Sequence, residues 1–408
     1  MLLRARWIYP VSSPPIEDGF LRVQEGRISE IGIFSECSHQ AGVGDLGEVI
    51  LMPGMVNAHC HLDYTDFIGA IPAPYSFTDW IRAMVDLKAD VDDAAHFESW
   101  LNGAQQCLKY GVTTIGNIET RRDLLPELWQ RVRLRVVSFI EHISLKPERN
   151  VDADIRELAH WMATHHPTNG RVGLSPHAPY TTTRDVLNAC GSMPGPLTMH
   201  VAESDEENRM FRNGEGPLYD MLETAGRLMD DCGDQSPLAN IRNADLVDDE
   251  FLAVHGNYLN GNDLQLLGEN SASLVHCPRS HGYFQHQPFP AEQAREAGVN
   301  LCLGTDSLAT MRNPDAELDL LEEVRQFHEQ HPGFSPEDCI AMVTRNAARA
   351  IGMADQAGSL EIGKPADVAV LRCGRIEGSV AEHIIQCRGP AAGVMINGEW
   401  EVSVGEMA

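Results

Sequence analysis

Between about residue 50 and residue 306 the chain alternates short, apolar, β-rich segments with longer stretches of helical periodicity, and it does so eight times. The first strand candidate ends at His59; the others are residues 112–118, 134–140, 171–175, 197–201, 251–255, 273–277 and 300–304. Between them lie residues 78–87, 94–109, 155–165 and 291–296, whose apolar positions recur three and four residues apart, the spacing of one helix face. Strands that alternate with helices in this way read as an α/β chain built on a (β/α)8 TIM barrel. An open doubly wound sheet is the competing arrangement, but no Gly-x-Gly-x-x-Gly turn follows the first strand.

The two ends have a different texture. Residues 19–23 and 27–31 are short alternating segments separated by Glu25-Gly26, and residues 367–371 and 393–398 repeat the pattern near the other end. Each end alone is too small for a comfortable core. The expectation is therefore a composite β-sandwich formed by residues 1–52 plus 357–408, beside a hydrolase barrel at residues 53–356. No internal repeat or low-complexity linker interrupts the chain.

Charge narrows the partners. With 31 basic and 59 acidic side chains the net charge is −28, which repels phosphate backbones and anionic lipid. Nucleic-acid polymers and membranes are not expected partners. No stretch approaches the roughly 20 apolar residues that span a bilayer, and the ten cysteines include no Cys-x-x-Cys pair. A cytoplasmic, reducing location is expected.

The candidate chemistry sits at strand ends, where barrels of this kind carry their active sites. His59 and His61 lie two apart at the end of the first strand, so both imidazoles can face one metal ion while Cys60 points the other way into the core. His177 follows the fourth strand, His200 ends the fifth, His255 ends the sixth and Asp306 follows the eighth. Three imidazoles and a carboxylate suit a divalent ion such as Zn²⁺ or Fe²⁺ with a position left for water. Such an ion brings the pKa of water down to about 7, giving a hydroxide nucleophile at neutral pH. Glu203, three residues after His200, is placed for general acid–base work on that water and on a leaving group. The acids that follow, Asp205, Glu206 and Glu207, read as an exposed run. His255 is read as orienting the hydroxide and polarising the group under attack, with a second metal as the alternative. No lysine stands near the end of the fourth strand to bridge two ions as a carbamate, which favours one.

With these residues in place the chain resembles the amidohydrolase superfamily over nearly its whole length, in the branch of cytosine deaminase and methylthioadenosine/S-adenosylhomocysteine deaminase. The matching segments are Pro53-Gly54-Met55-Val56-Asn57-Ala58-His59-Cys60-His61-Leu62, Ser175-Pro176-His177-Ala178-Pro179-Tyr180-Thr181, Met199-His200-Val201-Ala202-Glu203, His255-Gly256, His276-Cys277-Pro278, Leu303-Gly304-Thr305-Asp306-Ser307 and the stretch from Gly358 to Asp367. The resemblance implies a barrel flanked by a β-sandwich and a site for one divalent ion, Zn²⁺ foremost, with Fe²⁺ or Mn²⁺ as options. It carries metal ligation onto His59, His61, His200 and Asp306, the proton shuttle onto Glu203, polarisation onto His255 and a further proton-accepting role onto Asp306. It implies substrate contact by His177 and a pocket border at Trp80, for which an ordinary amphipathic-helix aromatic is the alternative.

The implied reaction is hydrolytic deamination of a purine, nucleoside or related nitrogen heterocycle. A cyclic amide hydrolase or a triazine-type chlorohydrolase on the same site, and a non-catalytic metal-binding homologue, are the alternatives. Beyond the small heterocyclic substrate, the expected partner is a further copy of the chain in a homo-oligomer. Two positions depart from the resemblance. Methylthioadenosine-type deaminases carry a ribose-binding Glu two residues before the tryptophan, where this chain has Thr78. After the seventh strand, His281 stands in place of a carboxamide, with Arg279 two residues earlier. His281 is expected to read a different substrate edge, an acidic or carbonyl group, or else to hold its loop.

Overall fold

The computed structural model describes residues 1–72, 76–146, 150–242 and 244–403. Eight strands, Met55–Cys60, Val112–Glu119, Arg135–His142, Arg171–Pro176, Leu197–Val201, Phe251–His255, Ser273–His276 and Asn300–Leu303, pair in parallel and in chain order. They are barrel strands one to eight. A parallel bridge between Cys60 and Asp306 closes the ring. Most are buried along their length, strand six at every residue, which is why they read as short apolar runs and not as alternating ones. The helices predicted between them are present as Phe77–Ala89, Asp93–Lys109, Val151–Thr164 and Ala291–Glu296.

Closure between strands eight and one positions the site. A Cβ on Gly304 would stand 2.7 Å from the carbonyl oxygen of His59, so only glycine lets the two strands approach. Asn57 then clamps the seam: its Nδ2 donates to Thr305 Oγ1 at 2.8 Å and its Oδ1 accepts from Thr305 N at 3.1 Å. The amide of Asp306 donates to the His59 carbonyl at 3.1 Å. His59 and Asp306, 247 positions apart by the numbering, are thus neighbours through the backbone itself.

The ends of the chain meet in a second, mostly antiparallel sheet. Leu2–Ile8, Ile16–Gln24, Arg27–Ile33, Val43–Asp45 and Val49–Pro53 join Val368–Arg372, Gly393–Ile396 and Glu399–Val402 in one hydrogen-bonded network. The join is Val49–Pro53 against Val368–Arg372, with Val368 opposite Pro53. The apolar run that leads to His59 is therefore two strands divided at Gly54, where a Cβ would lie 2.1 Å from Thr113 Oγ1. Glu25-Gly26 and Asn397-Gly398 all adopt positive φ, as two-residue hairpin turns require. A buried ion pair between Arg135 of barrel strand three and Asp367 ties the sheet to the barrel, and Asp367 also accepts from Asn397 N at 2.8 Å.

No helix among the described residues is long and apolar enough to cross a membrane. Among the same residues all ten cysteines are free thiols. Cys60 is buried with its Sγ toward Asn117, as expected of core packing.

Candidate active site

The C-terminal ends of the barrel strands open onto a cavity of about 600 Å³, a size suited to a small organic ligand. His61, His177, His200, Glu203, His255 and Asp306 line it, with His59 buried just behind. Strands five, six and eight run out into residues in the left-handed backbone region: Ala202 at φ 53°, His255 at 69° and Asp306 at 55°. A side chain in that region costs of order 1 kcal/mol. Three such residues at the ends of strands five, six and eight turn Glu203, His255 and Asp306 toward a common centre.

The donor set fits a metal ion. Two groups of three, His59 with His200 and His255, and His59 with His61 and Asp306, place one donor atom each within 4.8 Å of one another. The Nε2 atoms of His59 and His61 lie 3.5 and 3.7 Å from the same oxygen of Asp306. That is too long for a good hydrogen bond, yet close to the roughly 3.4 Å that separates two donors each about 2.1 Å from one tetrahedral ion. Among the described residues, buried His59 Nε2 and His61 Nδ1 have no hydrogen-bond partner. His200 Nδ1 bonds the His177 carbonyl at 3.0 Å, which fixes the ring and leaves Nε2 to the site. Burial and neighbouring imidazoles push His61 and His200 well below the usual histidine range, toward the neutral form that ligates. Burial alone would raise Asp306, but the neighbouring imidazoles of His59, His255 and His61 hold it well below the usual carboxylate range.

Glu203 faces His255, with Oε1 3.5 Å from Nε2. Burial, with Asp306 and Glu207 nearby, raises its carboxyl well above the ordinary range. The acids after it are not one exposed run. Asp205 is exposed, but Glu207 is fully buried and accepts from the amides of Ala202 and Glu203 at 3.1 and 2.8 Å. Burial lifts it to about 8 in spite of those bonds. Glu206 accepts from the amides of Phe77 and Thr78 and from the Thr78 hydroxyl, pinning the helix Phe77–Ala89 to the loop that carries Glu203. Both acids build the loop, a role that sequence spacing alone does not reveal.

His177 lines the cavity, and its Nδ1 is paired with Thr181 Oγ1 at 2.7 Å. Burial, with Lys88 and His59 nearby, pushes it down to about 3, a neutral ring. Trp80 also lines the cavity, packs edge to face on Phe284, and keeps a buried indole N–H without a partner among the described residues. His281 does not line it. Its Nε2 bonds the Gln287 carbonyl at 2.8 Å, while Arg279 pairs with buried Glu323 and donates to the Glu317 carbonyl at 2.9 Å. Both side chains hold the segment after strand seven, the arrangement that the loop-holding alternative describes. Among the cavity residues that the sequence does not mark are Lys88, Glu141 and Tyr64, the last stacked 5.2 Å from His61. The signal for Glu141 was present, since it is an acid at the end of an apolar strand.

Residues 50–400 match the amidohydrolase family, and the chain belongs to that family. Among curated proteins it is 26% identical to a 5-methylthioadenosine/S-adenosylhomocysteine deaminase from Moorella thermoacetica, over 91% of this chain and 85% of the relative. It is likewise 26% identical to an aminodeoxyfutalosine deaminase from Deinococcus radiodurans, over 74% of this chain and 73% of the relative. Of solved structures, a zinc-bound adenosine deaminase from Xanthomonas campestris superposes with a TM-score of 0.83 at 22% identity, covering 100% of this chain and 94% of the other. A zinc complex of atrazine chlorohydrolase from Arthrobacter aurescens also gives 0.83, at 17% identity, over 98% and 95%. At these identities the structures speak for the fold.

Proposed function

We propose that the protein is a metal-dependent aminohydrolase that replaces an amino group on a purine, nucleoside or related nitrogen heterocycle with oxygen and releases ammonia. The observation that carries this reading is the facing pair Glu203 and His255, 3.5 Å apart, on the same cavity as the His59, His61 and Asp306 cluster. The curated relatives named as deaminases support it. His59, His61, His200 and Asp306 would hold one divalent ion, zinc foremost, with iron or manganese as options. When bound, the ion supplies a nucleophile at neutral pH.

The remaining steps belong to the chain. Asp306 and Glu203 accept protons from the attacking water, and Glu203, held by the amides that Glu207 anchors, delivers one to the ring nitrogen beside the attacked carbon. His255 donates to the oxygen as charge develops there. Neutral His177 and the indole of Trp80 orient the ring. As the tetrahedral carbon collapses, the proton taken by Asp306 passes to the departing amino group and ammonia leaves, so water is consumed and one C–N bond is exchanged for C–O. We assign the barrel to residues 53–356 and the small domain to residues 1–52 plus 357–408. We place the protein in the cytoplasm as a homo-oligomer; free thiols support the location and a net charge of −28 argues against nucleic acid.

The test is an ammonia-release screen over purines, nucleosides, pterins and triazines with zinc-, iron- and manganese-loaded protein, with halide followed in parallel on chlorotriazines. Ammonia from an amino heterocycle is expected. Halide release without ammonia, or neither, contradicts the proposal.

A further inference from the structure

Two charged residues that line the cavity, Glu141 and Lys88, take no part in the hydrolysis. Glu141 lies at the end of barrel strand three, and Lys88 lies in the last turn of the helix Phe77–Ala89; both line the cavity. Among the described residues Glu141 makes no hydrogen bond or ion pair, and only the charge of Lys88 offsets the desolvation of its carboxyl. Lys88 Nζ donates to the Tyr64 hydroxyl and to nothing else among them, which leaves two of its three N–H groups open. Ile81, Met84, Ile143 and Leu145 line the same cavity, as do Asp86 and Arg82, the latter paired with Asp79. A desolvated carboxylate without donors is costly there, and such a cost persists where a ligand supplies the missing partners.

Position says which part of a substrate arrives. Glu141 is in register with Ser175, two residues before His177, and strand three lies three places from strand six in the eight-stranded ring. A ring whose reacting carbon sits beside Glu203 and His255 therefore extends its far side toward Glu141. The chemistry says what that far side carries. Glu141 only accepts and Lys88 only donates. A cation would suit Glu141 and be repelled by Lys88, and an anion the reverse. A hydroxyl both donates and accepts, so two adjacent hydroxyls satisfy the pair together. Thr78 cannot serve, because its hydroxyl and amide are both bound to Glu206.

We propose that Glu141 and Lys88 form a subsite for a neutral vicinal diol, the sugar of a nucleoside, attached to the heterocycle that is hydrolysed at Glu203. The proposal rests on the aminohydrolase reading, and its test separates the two. Zinc-loaded protein is titrated by calorimetry with adenosine and with 2′,3′-dideoxyadenosine, and ammonia release from each is measured in parallel. Wild-type protein is expected to favour the diol by at least about tenfold, the scale of hydrogen bonds to a charged group. Glu141→Leu is expected to abolish that preference and Glu141→Gln, which keeps the shape, to reduce it, with bound zinc unchanged in both as the check on folding. Equal binding of the two nucleosides by wild type, binding of neither, or a preference that survives in Glu141→Leu overturns the subsite. Ammonia released equally from both nucleosides overturns the subsite and leaves the aminohydrolase reading standing. A Glu141-dependent diol preference without any ammonia supports the subsite and overturns that reading instead.

Discussion

Substitution Glu203→Gln is expected to lower kcat for ammonia release by about a hundredfold to ten-thousandfold, with zinc content unchanged and KM altered little. That range is what a positioned proton-transfer group contributes to a rate. Glutamine keeps the size of the side chain, and the amides of Ala202 and Glu203 that anchor the loop bind Glu207 and not the Glu203 carboxyl. Only the capacity to take up and deliver a proton is lost. Burial, with Asp306 and Glu207 nearby, raises the Glu203 carboxyl above the ordinary range, a direction that strengthens it as the acceptor of the proton it then passes to the ring nitrogen. Steady-state kinetics with metal analysis on the same preparation checks the prediction. Unchanged kcat would remove Glu203 from the chemistry.

The second large effect concerns the ion. His200→Ala and Asp306→Ala are each expected to weaken zinc affinity by more than the roughly 10- to 100-fold that follows loss of an outer hydrogen-bond partner. Both remove a donor from the set itself. Cys60→Ser is the control: it lies between two proposed ligands in sequence, yet its thiol faces Gly116 and Asn117 in the strand interior. It is expected to keep its zinc, because alternation along a strand sends residues 59 and 61 to one side and residue 60 to the other. Metal content after dialysis against a graded zinc buffer separates these outcomes. Zinc retained by Asp306→Ala at wild-type affinity would contradict the proposed ligand set.

The barrel and the rim were legible because their signals are periodic and positional. A parallel strand buried on both faces is a short apolar run, and strands five and six end where the pattern breaks, at Val201 and His255. His59, His61, His200 and Asp306 could be grouped because each closes such a run. The seam that joins them was less visible, since Gly304 and Asn57 act through backbone proximity across strands far apart in sequence. Glu206 and Glu207 were misread for a related reason: three acids in a row look solvated, and only the turn at Ala202 directs Glu207 inward. His281 and Arg279 stand out as departures from the resemblance, and in the fold they bond the Gln287 carbonyl and the Glu323 carboxylate. Glu141 shows the opposite error, a residue with the right position in its strand that no motif marked.

One cavity, one ion and one carboxylate acting together is the central claim, and a metal titration tests it most directly. Metal-free protein is titrated with zinc while ammonia release from an amino heterocycle accepted in the screen is followed. Activity is expected to be absent without metal and to rise linearly to a plateau at one zinc per chain. Full activity in the metal-free protein, or a plateau reached only at two ions per chain, would contradict the account.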